Sequence, residues 1–300
     1  MPKVTVATFN CENLFGRFKF NANVDPQKAT KNGFTVDMTK FDILKPVEKK
    51  LTGLALREAN ADVVALQEVD NLEVLRRFRT EFLKGMDYVH AMLVDGNDPR
   101  HIDVAVLSRH PIVRARSYHH VRSGNSFVFS RDCLEVDIKA GNQTLTIYVN
   151  HFKSMMGGRA QTKARRQKQA AEVKEIVTGR FGKQNTGSAP WIIAGDLNDY
   201  IDGKEGITDV TGWNQVENVL DRLPSGERWT HFFEREDEYR QLDYLLVSNA
   251  LAGASSAKPS LVRNGLCKNA SRYTGPRFDG VGKSTPAASD HCPLVFSVNL

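Results

Sequence analysis

Cysteine is scarce, with four in 300 residues. Cys11, Cys133, Cys267 and Cys292 show neither the paired spacing of a metal knuckle nor the density of a disulfide-stapled secreted scaffold. They read as free thiols in a reducing compartment. No apolar run is long enough to span a bilayer, and the first residues open a strand pattern without a charged-then-apolar leader. Membrane association is therefore not expected. A cytoplasmic location is the expectation, with secretion open if a leader has been removed. No period of repetition and no low-complexity tract appear, which excludes solenoids, propellers and disordered linkers. Charge of one sign is in small excess, at a formal net charge of +6. That helps approach to a polyanion but is common among proteins that never meet one.

What is present is a succession of short β-rich segments interrupted by a few helical patterns, read as one continuous domain over residues 1–300. Strand patterns fall at 4–9, 63–67, 88–94, 102–107, 113–121, 127–138, 145–151, 191–194, 230–233, 242–247, 260–262 and 294–298. So many strands point to two packed sheets. Helical periodicity at 46–58, 72–83 and 159–177 would cover their outer faces. Residues 16–44 and 264–289 read as long irregular stretches, a length that in a compact domain marks functional or mobile loops.

Polar residues gather where the strand patterns end. Gln67 and Glu68 follow one apolar run, Asp196 and Asn198 follow another in WIIAGDLND, and Asn150, His151 and Lys153 close TIYVNHFKS. Asn10 and Asn13 end the first strand, Asp243 sits within QLDYLLVS, and Asp290 and His291 precede the last strand. Each alone is more often a turn former or helix cap. Six such ends can converge on one rim, where gathered carboxylates repel unless a cation or proton neutralises them.

The set TFN, LQE, NHF, GDLN, LDYLLVS and SDH, in this order along nearly the whole chain, resembles the endonuclease/exonuclease/phosphatase superfamily with its DNase I-like fold. IDVAVLSRHPI and FSRDCLEV look like the family's two middle strands. The resemblance implies an α/β fold, a four-layered sandwich of two mixed sheets packed face to face with helices outside and the active site on one rim. NHFKS followed by an Arg- and Gln-rich helix is similar to bacterial nucleases, many of them secreted. Abasic-site endonucleases carry Tyr where His151 stands.

Hydrolysis of a phosphodiester needs an activated water, neutralisation of charge on the phosphate and help for the leaving oxygen. The hard oxygen donors Glu68, Asn10 and Asp290 suit Mg²⁺ or Mn²⁺, and the absence of a His/Cys cluster argues against a zinc site. The family pattern makes Glu68 the principal metal ligand and sets Asp196 and Asn198 across the pocket, orienting the water or holding a second cation. His291 is the expected acid/base or phosphate-contacting group, with Asp243 fixing its tautomer and favouring its charged form. His151 is the expected second imidazole, and Asp103 is nominated as its carboxylate partner. Arg131 resembles a phosphate-contacting arginine of the family, against the alternative of a salt bridge with Asp132 or another carboxylate. Lys153 follows the same logic.

For nucleic acid further out, Arg272, Tyr273 and Arg277 lie in the stretch that runs into Asp290 and His291. Arg17–Phe20 interleaves cations and aromatics, as a base-stacking groove or an amphipathic strand would. Lys163, Arg165, Arg166 and Lys168 read as a solvated helix face. The resulting expectation is a metal-dependent phosphodiesterase of nucleic acid, a DNA endonuclease first, with DNA favoured over RNA. The alternatives are a phosphatase or lipid or small-molecule phosphodiesterase on the same scaffold, and a binding scaffold without chemistry.

Overall fold

Alternation decides the layering. In the strand Lys3–Leu14, Val4 and Val6 point one way while Ala7, Phe9 and Cys11 point the other, and both sets are fully buried. A strand that buries both faces must lie between two layers. The computed structural model describes residues 2–33 and 35–300 and shows two six-stranded sheets. The first runs Ser260–Leu261, Leu294–Asn299, Lys3–Leu14, Val63–Val69, Asp103–Ser108, His90–Leu93; the second runs Val216–Asn218, Asp243–Ser248, Trp191–Asp196, Gln143–His151, Cys133–Ala140, Ile112–Ser117. Both are mixed: Lys3–Leu14 is parallel to Val63–Val69 and antiparallel to Leu294–Asn299, and Trp191–Asp196 is parallel to Gln143–His151 and antiparallel to Asp243–Ser248.

Between the sheets lies an aliphatic core of Val4, Val6, Val63, Val106, Val136, Ile147, Ile192 and Val247. Outside the first sheet pack α1 (Pro46–Ala59) and α2 (Leu72–Phe82), burying Leu51, Leu56, Leu75 and Phe78 against Phe9 and Leu66. Pro46 opens α1, where its missing N–H costs nothing, and Asn71 caps α2 by accepting from Val74 N at 3.0 Å. Outside the second sheet, α3 (Arg159–Phe181) buries Ala170, Val173 and Val177 against Tyr148, Trp191, Ile193 and Tyr244. The four-layered sandwich expected from the sequence is thus present. Among the described residues no helix is long and apolar enough to cross a membrane, and all four cysteines are free and buried.

Three expectations about local structure are corrected. The described residues of 16–44 are not an irregular loop: Gly16–Phe20 and Thr39–Ile43 pair as a hairpin, with the Phe18 ring tilted against Phe41 at 5.0 Å and a short helix, Pro26–Asn32, between the strands. Arg17–Phe20 lies in one arm of this hairpin, with Phe18 exposed and Arg17 paired to Asp70 at 2.7 Å. The pattern at 127–138 does not form one strand: Phe127 pairs with Arg122 in a small hairpin, the chain turns at Ser130–Asp132, and the strand of the second sheet starts at Cys133. The strand expected at 113–121 ends at Ser117, since Tyr118 N donates to Asp132 Oδ1 at 2.8 Å instead of to a neighbouring strand.

Candidate active site

Asp196 closes the strand Trp191–Asp196 and is 1% exposed. Gly195 before it holds φ at +143°, and a Cβ there would sit 1.9 Å from Asn150 O. Only glycine lets the two strands meet so closely at this turn. Asp196 Oδ1 accepts from Asn198 N at 2.8 Å, and Oδ2 accepts from Asn10 Nδ2 at 3.0 Å and Asn198 Nδ2 at 3.1 Å. Asn198 reaches back because its backbone is left-handed, at φ 52°, a conformation asparagine tolerates better than most residues. Burial pushes Asp196 up to about 7, and the positive field of His291 restrains the rise.

Two imidazoles face this carboxylate. His151 is the cross-strand neighbour of Asp196, with Nε2 3.6 Å from Asp196 Oδ2. Burial, then the charges of Arg131 and His291, hold its pKa well below the usual imidazole range, so it is neutral. Its Nδ1 has no hydrogen-bond partner among the described residues. The nominated partner Asp103 is occupied elsewhere, accepting from Gly96 N at 2.9 Å, and the carboxylate beside His151 is Asp196. His291 is placed oppositely. Its Nδ1 lies 2.7 Å from Asp243 Oδ2, and its Nε2 lies 3.8 Å from Asp196 Oδ2. Although burial disfavours the charge, Asp243 and then Asp196 raise His291 well above the usual range. Thr230 fixes Asp243 by donating to Oδ2 at 2.6 Å. Ser289 Oγ donates to Asn10 O at 2.8 Å and accepts from His291 N at 3.0 Å, tying the segment before the last strand to the first strand.

The opposite wall comes from a bulge. Register between Lys3–Leu14 and Val63–Val69 slips after Asn10, and Glu12, Asn13 and Glu68 all take left-handed backbones. Buried Lys49 holds the bulge by donating to Cys11 O at 2.6 Å and Glu12 O at 2.8 Å. Glu68 Oε2 accepts from Asn13 N at 3.0 Å, and among the described residues its other oxygen has no hydrogen bond. Asn10 spends its amide on Asp196 and accepts from Glu12 N at 3.1 Å. Asp290 is half-exposed, with Oδ2 3.4 Å from His231 Nε2 and Oδ1 3.9 Å from His291 Nε2. Partial burial opposes its ionisation, but His231 and His291 hold it below the usual carboxylate range. An ionised Asp290 and a Glu68 oxygen left open are donors that fit a divalent cation.

Sequence reasoning missed two neighbours of this set. Glu12, pushed up to about 7 by burial and then by Asp290, carried no local motif. His231 pairs with His291 through an isolated antiparallel bridge, rings 4.5 Å apart. His231, Asp290 and His291 each offer a ligand atom, all within 4.8 Å of one another. The sequence-level inference that no histidine-containing cluster exists is therefore corrected, because the two imidazoles stand 60 positions apart in the chain. The THF triplet before QLDYLLVS was the available signal.

The expected substrate contacts divide. Arg131 is 2% exposed, donates to Phe152 O at 3.0 Å and pairs with Asp98 at 3.1 Å, so its partner is Asp98 and not Asp132. Its charge still reaches the site, as its effect on His151 shows. Lys153 is half-buried and contacts Ser154. Arg272 lies over the Tyr239 ring and lines a hollow of about 700 Å³ with Tyr200 and Arg240. Tyr273 packs under Arg277, whose guanidinium is spent on the carbonyls of Cys267, Ala270 and Tyr273. None of these contacts is made to Asp196, His151 or His291. Arg166 does not belong to a solvated face: it is fully buried and bonds Asp199 at 2.9 Å.

A two-sheet sandwich with acids, amides and imidazoles on one rim defines a DNase I-like phosphoester hydrolase scaffold. The model of the Endonuclease/Exonuclease/phosphatase family matches residues 5–298, and the chain belongs to that family. Solved structures agree in fold. A truncated TDP2 from Caenorhabditis elegans superposes with a TM-score of 0.60 at 15% identity, covering 99% of this chain and 98% of that one. The endonuclease/exonuclease/phosphatase of Bacteroides vulgatus gives 0.63 at 14% identity over 100% of both chains. SmcL gives 0.61 at 17% identity over 99% of both. No curated protein matches the chain significantly in sequence.

Proposed function

We propose that the chain is a divalent-metal-dependent phosphodiesterase that hydrolyses nucleic acid, acting as a DNA endonuclease with Mg²⁺ or Mn²⁺. The observation that carries this reading is the buried carboxylate of Asp196, set between a neutral imidazole and one biased toward the charged form. Environments that push two like groups apart assign them different work.

In this reading Glu68, Asn10 and Asp290 hold the cation, which when bound neutralises phosphate charge and polarises the ester. Asp196, ionising near neutrality, and Asn198 orient the attacking water, and Asp196 takes its proton as the new P–O bond forms. His291, kept cationic and in one orientation by Asp243, hydrogen-bonds the phosphate and supplies a proton to the leaving oxygen as the ester P–O bond breaks. His151 presents Nε2 at the same hollow and contacts the phosphate. Arg131 and Lys153 add positive field beside it, and Arg272 and Tyr273 extend contact to the flanking nucleic acid.

Incubation with plasmid, linear duplex, single-stranded DNA, RNA and a chromogenic phosphodiester, each with Mg²⁺ and with Mn²⁺, tests the reading. Nicking of plasmid is the expected result. Turnover of the chromogenic ester alone would move the substrate to a small phosphodiester, and no turnover of any would remove the hydrolytic reading.

A further inference from the structure

His231 stands outside the hydrolytic reading, yet its place is fixed from two sides. Its backbone bridges that of His291, and the neighbouring Thr230 is held by Asp243, Leu242 and the turn they form. The side chain is largely buried, with Nε2 directed at Asp290 Oδ2, 3.4 Å away. His291 Nε2 approaches the other oxygen of the same carboxylate at 3.9 Å. Ligands of a four-coordinate ion bound at about 2.0–2.2 Å lie roughly 3.3–3.6 Å from one another. The 3.4 Å contact already has that spacing, the 3.9 Å contact to the carboxylate's other oxygen is a few tenths of an ångström longer, and one ligand atom from each of the three residues lies within 4.8 Å of the others.

The surroundings of His291 match those of a metal-bound imidazole as well. Such a ring usually gives its second nitrogen to a carboxylate that is itself fixed, and here Nδ1 meets Asp243 at 2.7 Å while Thr230 holds Asp243 at 2.6 Å. Two imidazole nitrogens and one carboxylate oxygen form a borderline donor set, which favours Zn²⁺, Co²⁺ or Ni²⁺ over Mg²⁺.

We infer that His231, Asp290 and His291 form a site for a borderline transition-metal ion of the Zn²⁺ class, with solvent completing the coordination. This site differs in donor chemistry from the oxygen set of Glu68 and Asn10 and shares only Asp290 with it. An ion bound here takes the Nε2 lone pair of His291, releasing that nitrogen's proton to solvent, and withdraws Asp290. It therefore inhibits hydrolysis, a consequence that rests on the proposed function, whereas the binding itself does not.

The test is a titration of the metal-free full chain with Co²⁺, read by its visible absorption, with Zn²⁺ added afterwards. One equivalent of Co²⁺ should produce the band of a four- or five-coordinate ion, and Zn²⁺ should erase it. His231→Phe, and His231→Gln in case the first variant folds poorly by circular dichroism, should weaken Co²⁺ binding by more than about 100-fold, since loss of a ligand exceeds the loss of an outer partner. The exposed His120→Gln should leave the band unchanged. Absence of a band in the unmodified chain, or an equal band in both folded His231 variants, overturns the site. A band that depends on His231 while Zn²⁺ leaves hydrolysis untouched upholds the site and instead removes His291 and Asp290 from the proposed hydrolytic machinery.

Discussion

His291 Nδ1 and Asp243 Oδ2 lie 2.7 Å apart in a buried pair, and that contact leaves Nε2 as the end of the ring facing Asp196 and Asp290. Asp243→Asn keeps the shape but loses the charge that holds the imidazolium. The variant should fall by about 10²–10⁴ in kcat, the usual worth of a positioned proton donor, with KM little changed. Steady-state kinetics on the chromogenic ester reads this, and a change confined to KM would show that Asp243 serves binding alone.

Cation dependence follows from Glu68 and Asp290. Chelation should silence the enzyme reversibly, with Mg²⁺ or Mn²⁺ restoring it. Glu68→Ala should abolish turnover while the melting transition stays cooperative. Activity that persists in excess chelator would take the cation out of the mechanism.

If the substrate is a polymer, neutralising several phosphates releases counterions, and kcat/KM on duplex DNA should drop steeply between 50 and 200 mM salt, by on the order of 10³ for six contacts. The chromogenic ester, with one phosphate, should respond weakly. Parallel, shallow salt curves for the two substrates would favour the small-molecule alternative.

Asp103 supplies a pH test independent of the metal. Burial raises it from an ordinary 3.8 to about 6, despite the hydrogen bond from Gly96 N. The folded chain holds this proton more tightly than the unfolded chain. Its contribution is therefore fully present below pH 3.8 and is lost as pH rises through about 6. Asp103→Asn, which keeps the acceptor for Gly96, should be more stable than the parent at pH 8 by on the order of 2 kcal/mol and nearly equal to it at pH 4. Urea denaturation in chelator at the two pH values measures the difference, and an advantage that is the same at both would refute the shift.

The layers were legible because alternation and strand-end chemistry are local. WIIAGDLND announces both a buried strand and the acids that end it, and the pattern at 46–58 announces a helix that starts at its proline. The partnerships were less legible, since they are set across the sandwich. Arg131 meets Asp98 and Arg166 meets Asp199 through tertiary packing. His231 meets His291 because two distant segments form one bridge. The break at 128–132 was hidden by the apolar pair Val128–Phe129, which is buried without belonging to a strand, and the hairpin at 16–43 by turn-rich residues between its arms. Asp103 failed as the partner of His151 because its strand lies in the first sheet, where Gly96 claims its carboxylate.

The central claim is that His291 drives phosphodiester hydrolysis at the rim where Asp196 lies. Its most direct test is the Mg²⁺-supported cleavage rate of plasmid DNA by the parent chain and by His291→Ala, with folding of both checked by circular dichroism. The account predicts nicking by the parent and a loss of at least about 10²-fold in the variant. Equal cleavage by the two folded proteins would contradict it.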